Sequence, residues 1–147
     1  MAGTLLGSTI TFVFQRSHAE RAERFARDER LRQERIQAYS AFAGAITELR
    51  RGVISLWFVR LRKDDPADPE LLAAFAESDR LGAAAAHARF RVQLLAEDAD
   101  LVALAAAAFG PITAIRASAD RAELVEHEDL CEERIKAFIT AAGTQVR

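Results

Sequence analysis

The start of the chain changes character in a way that limits the folds available to it. Residues 1–15 carry no charged side chain, whereas residues 16–35 hold seven arginines and five acidic residues. Burial of an apolar segment in lipid or in protein is favourable, but a segment with so many charged side chains cannot be buried in a protein core. The sequence therefore predicts an apolar N-terminal anchor segment (1–15), a charged helical stalk (16–35) and a helical bundle (36–147).

The apolar segment is a candidate membrane anchor. Fifteen helical residues span about 22 Å, against about 30 Å for the hydrocarbon core of a bilayer. The sequence leaves open whether the segment spans the bilayer or whether further apolar residues precede Met1. The arginines that follow favour a cytoplasmic body. The predicted anchoring residues are Leu5, Leu6, Ile10, Phe12, Val13 and Phe14.

Two further interpretations of the N-terminal segment remain open. Gly3 and Gly7 lie four residues apart, a spacing that lets membrane helices approach closely, and they are candidates for self-association. Alternatively, the protein is soluble and cytoplasmic, and the segment is the first part of a long helix that packs on a neighbouring helix.

Composition predicts an all-α fold. The 147 residues include 31 alanines, and 18 of the 20 basic residues are arginine, while only three prolines and seven glycines interrupt them. Alanine, leucine, glutamate and arginine all favour helix. The net charge of −2 argues against a general nucleic-acid binder, which depends on neutralising phosphates. The single cysteine, Cys131, excludes an internal disulfide.

Apolar spacing and stop signals predict the helices. A first helix is expected from Thr4 to Arg62, and a second from Pro69 to about Ala96, capped by Asp68. Spacings of three and four give the first helix a coiled-coil-like seam, formed by Tyr39, Phe42, Ile46, Leu49, Val53 and Leu56. The predicted packing face of the second helix consists of Leu72, Phe75, Asp79, Ala83, Ala86, Phe90 and Leu94.

The last third of the chain leaves two architectures open. A helix that begins near Leu101 and passes Pro111 straight or kinked would complete an antiparallel three-helix bundle. A break at Pro111 would instead produce a four-helix bundle. A straight helix would overshoot the bundle, so its last apolar stripe is predicted to pack on a second copy of the chain. That stripe contains Leu124, Cys131, Ile135 and Phe138.

No pattern in the sequence predicts catalysis or a cofactor. Glu123, His127 and Cys131 are spaced by four, so three types of metal ligand share one helix face. Helical di-metal sites need a Glu-x-x-His pattern on two helices, and no histidine here follows a glutamate by three residues. The sequence therefore predicts no enzyme, no cofactor and no small-molecule substrate, with a metal-binding bundle as a remote alternative.

The N-terminal third carries a family resemblance. The apolar stretch, the run Arg21-Ala22-Glu23-Arg24 and the run Arg32-Gln33-Glu34-Arg35 resemble those of uncharacterised small helical proteins of high-GC bacteria, which are often described only as membrane proteins. The resemblance implies a membrane-associated helical protein and supplies no activity. Together with the pattern of the chain, it predicts a scaffold or interaction protein at the cytoplasmic face of a membrane, with lipid and either a protein partner or a second copy as partners.

Overall fold

The computed structural model is all-α, as the sequence predicts. It describes the backbone of residues 4–146 and the side chains of residues 20–146, and these residues contain helices, turns and no strand. The helices are α1 (Thr4–Arg62), α2 (Pro69–Leu95), α3 (Ala99–Ala107), α4 (Phe109–Ala117) and α5 (Arg121–Gln145).

The chain divides into two compact units, residues 1–34 and residues 35–147. In the first unit every side chain from residue 20 to residue 34 is exposed, including Phe25, which is 75% exposed. Neighbouring turns are joined by surface contacts: Gln33 donates to Glu29 at 2.9 Å, and Arg32 lies 3.6 Å from the same carboxylate. Such exposed pairs contribute only tenths of a kcal/mol each.

The second unit is built around the predicted seam of α1. All six seam residues are buried, so this prediction is confirmed. Phe42 lies at the centre, with its ring centroid 4.8 Å from that of Phe138 and 6.2 Å from that of Phe109. One contiguous core therefore joins α1 to α4 and α5.

The turn between α1 and α2 also follows the prediction. Asp68 caps α2 by accepting hydrogen bonds from the backbone N–H groups of Glu70 and Leu71. The Lys63 ammonium donates to Asp68 at 3.0 Å and lies 3.0 Å from Glu70. The hydrogen bond to Asp68, followed by that to Glu70, raises the pKa of Lys63, and the same lysine lowers the pKa of Asp68.

The predicted packing face of α2 is wrong. The buried residues of α2 are Leu71, Ser78, Ala85, Ala88 and Val92. A Cβ placed on Gly52 would lie 2.5 Å from Leu81 Cδ1, which shows how closely α1 and α2 approach. The glycine on α1 permits that approach, and the inward face of α2 mixes Leu71 and Val92 with small residues. Of the predicted face, Phe75 is half-buried, whereas Leu72, Phe90 and Leu94 are exposed.

The last third of the chain is interrupted twice. Pro111 has no N–H to bond the carbonyl of Ala107, four residues earlier, and α3 ends at Ala107. A second interruption follows Ala117, where Asp120 caps α5 through the N–H groups of Ala122 and Glu123. α5 then packs against both α3 and α4.

This second interruption corrects the predicted self-association stripe. Because α5 folds back, its apolar residues enter the core of their own chain rather than overshooting the bundle. A second copy cannot reach side chains that are already covered. The stripe residues buried in this way are Leu124, Cys131, Ile135 and Phe138.

Replacing Gly44 with alanine is expected to stabilise the protein. A Cβ on Gly44 meets nothing within 4 Å, whereas a Cβ on Gly52 lies 2.5 Å from Leu81 Cδ1. Gly44→Ala should therefore raise the free energy of unfolding by about 0.5–1 kcal/mol through helix propensity alone. Gly52→Ala is the control, since displacement of Leu81 offsets the same gain. Urea unfolding followed by circular dichroism measures both, and equal effects would contradict the difference in packing between the two glycines.

Candidate interaction surfaces

The predicted anchoring side chains lie outside the part of the chain whose side chains are described. This applies to the self-association residues Gly3 and Gly7 and to the six anchoring residues, Leu5, Leu6, Ile10, Phe12, Val13 and Phe14. Their roles stay predictions.

One stretch of the described residues is long and apolar enough to cross a membrane, namely residues 99–117, with a mean hydropathy of 1.4. It comprises α3 and α4, and its large apolar side chains, Leu101, Ile112 and Ile115, are buried in the protein core. Its exposed positions are mostly alanine. Core helices of soluble proteins have the same composition, so the stretch is weak support for membrane association.

The three α5 residues of metal-ligand type, Glu123, His127 and Cys131, each make a different contact. Glu123 accepts a hydrogen bond from the N–H of Ala119 at 2.8 Å, His127 Nδ1 lies 3.0 Å from Ser118 Oγ, and Cys131 is fully buried. Among the described residues, no group of three His, Cys, Asp or Glu side chains could hold a metal ion. The geometry therefore gives no support to the metal-binding alternative.

The Ser118–His127 pair joins the end of α4 to α5. The Ser118 hydroxyl lies 3.1 Å from the carbonyl oxygen of Ala114 and 3.0 Å from His127 Nδ1, and the tautomer of His127 decides which partner donates in the second contact. Close by, Trp57 Nε1 donates to the carbonyl of Ser118 at 2.9 Å. The pair and the tryptophan fix the junction between α4 and α5 against α1.

Cys131 is held as an unreactive thiol. Burial raises its pKa, and the nearby charge of Arg50 only partly opposes that effect. Arg50 itself lies 3.6 Å from Glu132. Since the thiolate is the reactive form, both the burial and the raised pKa suppress modification of this side chain.

An apolar groove of about 380 Å³ lies between the first turns of α1 in the second unit and the end of α5. Ile36 and Ala43 line one side, and Phe138 and Ile139 line the other. Tyr39 closes part of it by donating to Gln145 at 3.3 Å. The lining offers few polar groups, so the groove suits apolar contact rather than recognition of a polar ligand.

The outer face of α2 exposes the large apolar residues that the sequence assigns to the core. Leu72 is 54% exposed, Phe90 52% and Leu94 83%. Ala76, Ala83 and His87 are also exposed. We call these six residues the α2 outer stripe. Sequence analysis finds most of its apolar positions but assigns them to the wrong side of the helix.

Comparison with known proteins identifies the second unit. Residues 36–146 match the family model described as KilB plasmid transfer protein. The chain belongs to this family. The matched residues include the second half of α1 and all of α2 to α5, which contain the buried core. No curated protein and no solved structure is significantly similar to the KilB-family chain.

Proposed function

We propose that this protein acts in plasmid transfer as a non-enzymatic helical interaction protein, attached to the cytoplasmic face of a membrane by residues 1–15. The observation that carries the proposal is the family match over residues 36–146, because the name of that family refers to plasmid transfer. A structural or interaction role is supported by the exposed large apolar residues of α2, Leu72, Phe90 and Leu94, which are available to a partner.

The membrane part of the proposal is supported by the sequence of residues 1–15 and by the solvation of the adjoining helical segment. Residues 20–34 are exposed throughout, and they separate the apolar segment from the bundle along the chain. A charged helical segment next to an apolar one is typical of proteins that keep a soluble body close to a bilayer.

Charges placed in the apolar segment are expected to detach the full chain from the membrane. Each aspartate at the centre of a bilayer costs about 2.5–3.5 kcal/mol on insertion scales, so Ile10→Asp with Val13→Asp should cost about 5–7 kcal/mol. We expect this variant in the soluble fraction of lysed cells and a loss of plasmid transfer in mating assays. The matched control, Ala22→Asp with Ala26→Asp, adds the same charges at exposed positions and should behave as wild type.

The outcomes separate the two parts of the proposal. A variant that stays in the membrane fraction contradicts anchoring by residues 1–15. A soluble variant with wild-type transfer shows that the protein works as a cytoplasmic protein-binding module. Deletion of the whole gene tests the process itself, and unchanged transfer after deletion would overturn the role in plasmid transfer.

A further inference from the structure

The α2 outer stripe is a mainly apolar line along one exposed helix face, with His87 within it and the charged Asp79 and Arg80 beside the gap between Ala76 and Ala83. Its residues, Leu72, Ala76, Ala83, His87, Phe90 and Leu94, are separated by four, seven, four, three and four positions, which is the spacing of a helix–helix seam. The buried residues of α2 lie on the opposite face. The helix thus carries one seam for its own bundle and a second seam that is left uncovered.

The stripe is complementary to itself when two copies of α2 run antiparallel. In that arrangement Ala83 faces its own counterpart at the two-fold axis. Leu94 then lies opposite Leu72 of the second copy, and Phe90 lies opposite Ala76 of the second copy. Phe90 thus meets a small residue and the two leucines meet each other, while the exposed Ala83 and Ala84 near the centre allow the two backbones to approach closely.

The charges of α2 favour the same arrangement. Its first half carries the acids Glu70, Glu77 and Asp79, whereas residues 80–95 contain arginines and a histidine but no acid. Antiparallel pairing brings Glu77 beside Arg91 of the second copy on one flank, and Asp79 beside Arg89 of the second copy on the other. Two-fold symmetry doubles both pairs, whereas parallel pairing would align like charges.

From this pattern we propose that α2 is a homodimer interface, in which the α2 outer stripe of one copy packs antiparallel on that of a second copy. The Glu77–Arg91 pair is accessible, since both side chains are exposed and Glu77 contacts the exposed Arg80 at 2.7 Å. Asp79 contacts the half-buried Arg116 at 3.3 Å, and the half-buried Arg89 lies over the ring of Phe109, so the second pair would exchange contacts within the chain for contacts with the second copy. An anionic bilayer fits the surface less well, because the acids of the first half of α2 would be repelled. The inference does not depend on the role in plasmid transfer.

Reversing the charges tests the interface in the purified full chain, kept in a mild detergent and measured by sedimentation velocity. Glu77→Arg alone and Arg91→Glu alone should each raise the dissociation constant of the dimer at least about tenfold, because each sets like charges side by side. A chain with both changes should dimerise again. A mixture of the two single variants should form a heterodimer, since one chain then carries two cations and the other two anions at these positions. Weakening by each single change together with recovery in the double change distinguishes antiparallel from parallel pairing, in which positions 77 and 91 would each face themselves.

A cysteine at the two-fold axis gives an independent test. Ala83→Cys should form a disulfide-linked dimer when the full chain is treated with copper phenanthroline, because the two sulfurs would lie close together. Ala103→Cys, at an exposed position of α3, is the matched control and should not cross-link. The native Cys131 does not interfere because it is buried.

Each remaining outcome contradicts the proposal. A wild-type chain that sediments as a monomer at every concentration overturns it, and so does an oligomer whose mass no charge reversal changes. Vesicles of phosphatidylserine and phosphatidylcholine identify the lipid alternative when they are mixed with the chain that carries Ile10→Asp and Val13→Asp, in which residues 1–15 should not insert. If Arg91→Glu abolishes vesicle binding and leaves the mass unchanged, the surface is a membrane-docking face and the dimer proposal is wrong.

Discussion

Replacing Phe42 with alanine is expected to cost about 3–5 kcal/mol of folding free energy, the usual range for removing a buried phenylalanine. The Phe42 side chain is fully buried and packs on the rings of Phe109 and Phe138. Its loss leaves a cavity where α1, α4 and α5 meet. Because small domains are stable by about 5–15 kcal/mol in total, this loss removes a large fraction of the free energy of unfolding.

The fluorescence of Trp57, the only tryptophan, can follow the urea unfolding of this variant. Phe25→Ala is a matched control, since it makes the same substitution in the same helix at a side chain that is 75% exposed. The control should change stability by less than about 0.5 kcal/mol. If Phe42→Ala were as mild as Phe25→Ala, Phe42 would not lie at the centre of the core.

The sequence predicts the parts of the fold that local chemistry determines. The start of α2 follows from Pro69 and from the capping residue Asp68, which begin a helix without help from tertiary contacts. The seam of α1 is predictable because large apolar residues occupy one line and polar residues occupy the others. A helix with one apolar face has only one way to pack.

The face of α2 is not predictable for the opposite reason. This helix has two apolar lines, one of small residues such as Ala85 and Ala88, and one of larger residues such as Phe90 and Leu94. Larger residues usually bury more apolar surface, which favours the second line. The structure buries the first line and sets Leu81 of α2 against Gly52 of α1, and that contact is a property of the assembled helices.

The division of residues 99–145 into three helices is partly encoded in the local sequence. Asp120 and Glu123 form a capping pair three residues apart, in which Asp120 accepts from the N–H of Glu123 and the Glu123 carboxylate accepts from the N–H of Ala119. Both architectures predicted from the sequence overlook this signal of a helix start, because neither places a break after Pro111. Pro111 is recognisable, but its effect falls at Ala107 and Ala108, where the missing hydrogen bond would have ended. The exposed and buried stripes of α5 can be assigned only after this turn is placed.

Which residues form the candidate surfaces depends on which face of α2 is buried and on where α5 turns back. The α2 outer stripe becomes a surface only because α2 buries its other face. The α5 residues cease to be a surface because α5 folds back into the core. Neither outcome follows from periodicity, which gives the line of a seam along a helix but not the partner that covers it.

Replacing Trp57 with phenylalanine is expected to destabilise the protein by about 1–3 kcal/mol, the cost of leaving a buried hydrogen-bonding group without its partner. Trp57 Nε1 donates to the carbonyl of Ser118 at 2.9 Å in a buried contact, and Arg60 donates to the carbonyl of Arg116 at 3.1 Å. These carbonyls belong to the end of α4, where the helix itself supplies no donor. Side chains of α1 thus terminate α4 and hold the turn that sends α5 back.

Tyr39→Phe is the matched control, since it also removes a hydrogen-bond donor from an aromatic side chain of α1. Its hydroxyl donates to Gln145 at 3.3 Å in a partly buried contact, so water can replace it and the loss should stay below about 1 kcal/mol. Thermal unfolding compares the two variants, and amide hydrogen exchange shows where each acts. Trp57→Phe should speed exchange at the first turn of α5, whereas Tyr39→Phe should leave that turn unchanged. Equal losses of stability, with no change in exchange at α5, would show that the tryptophan only fills space.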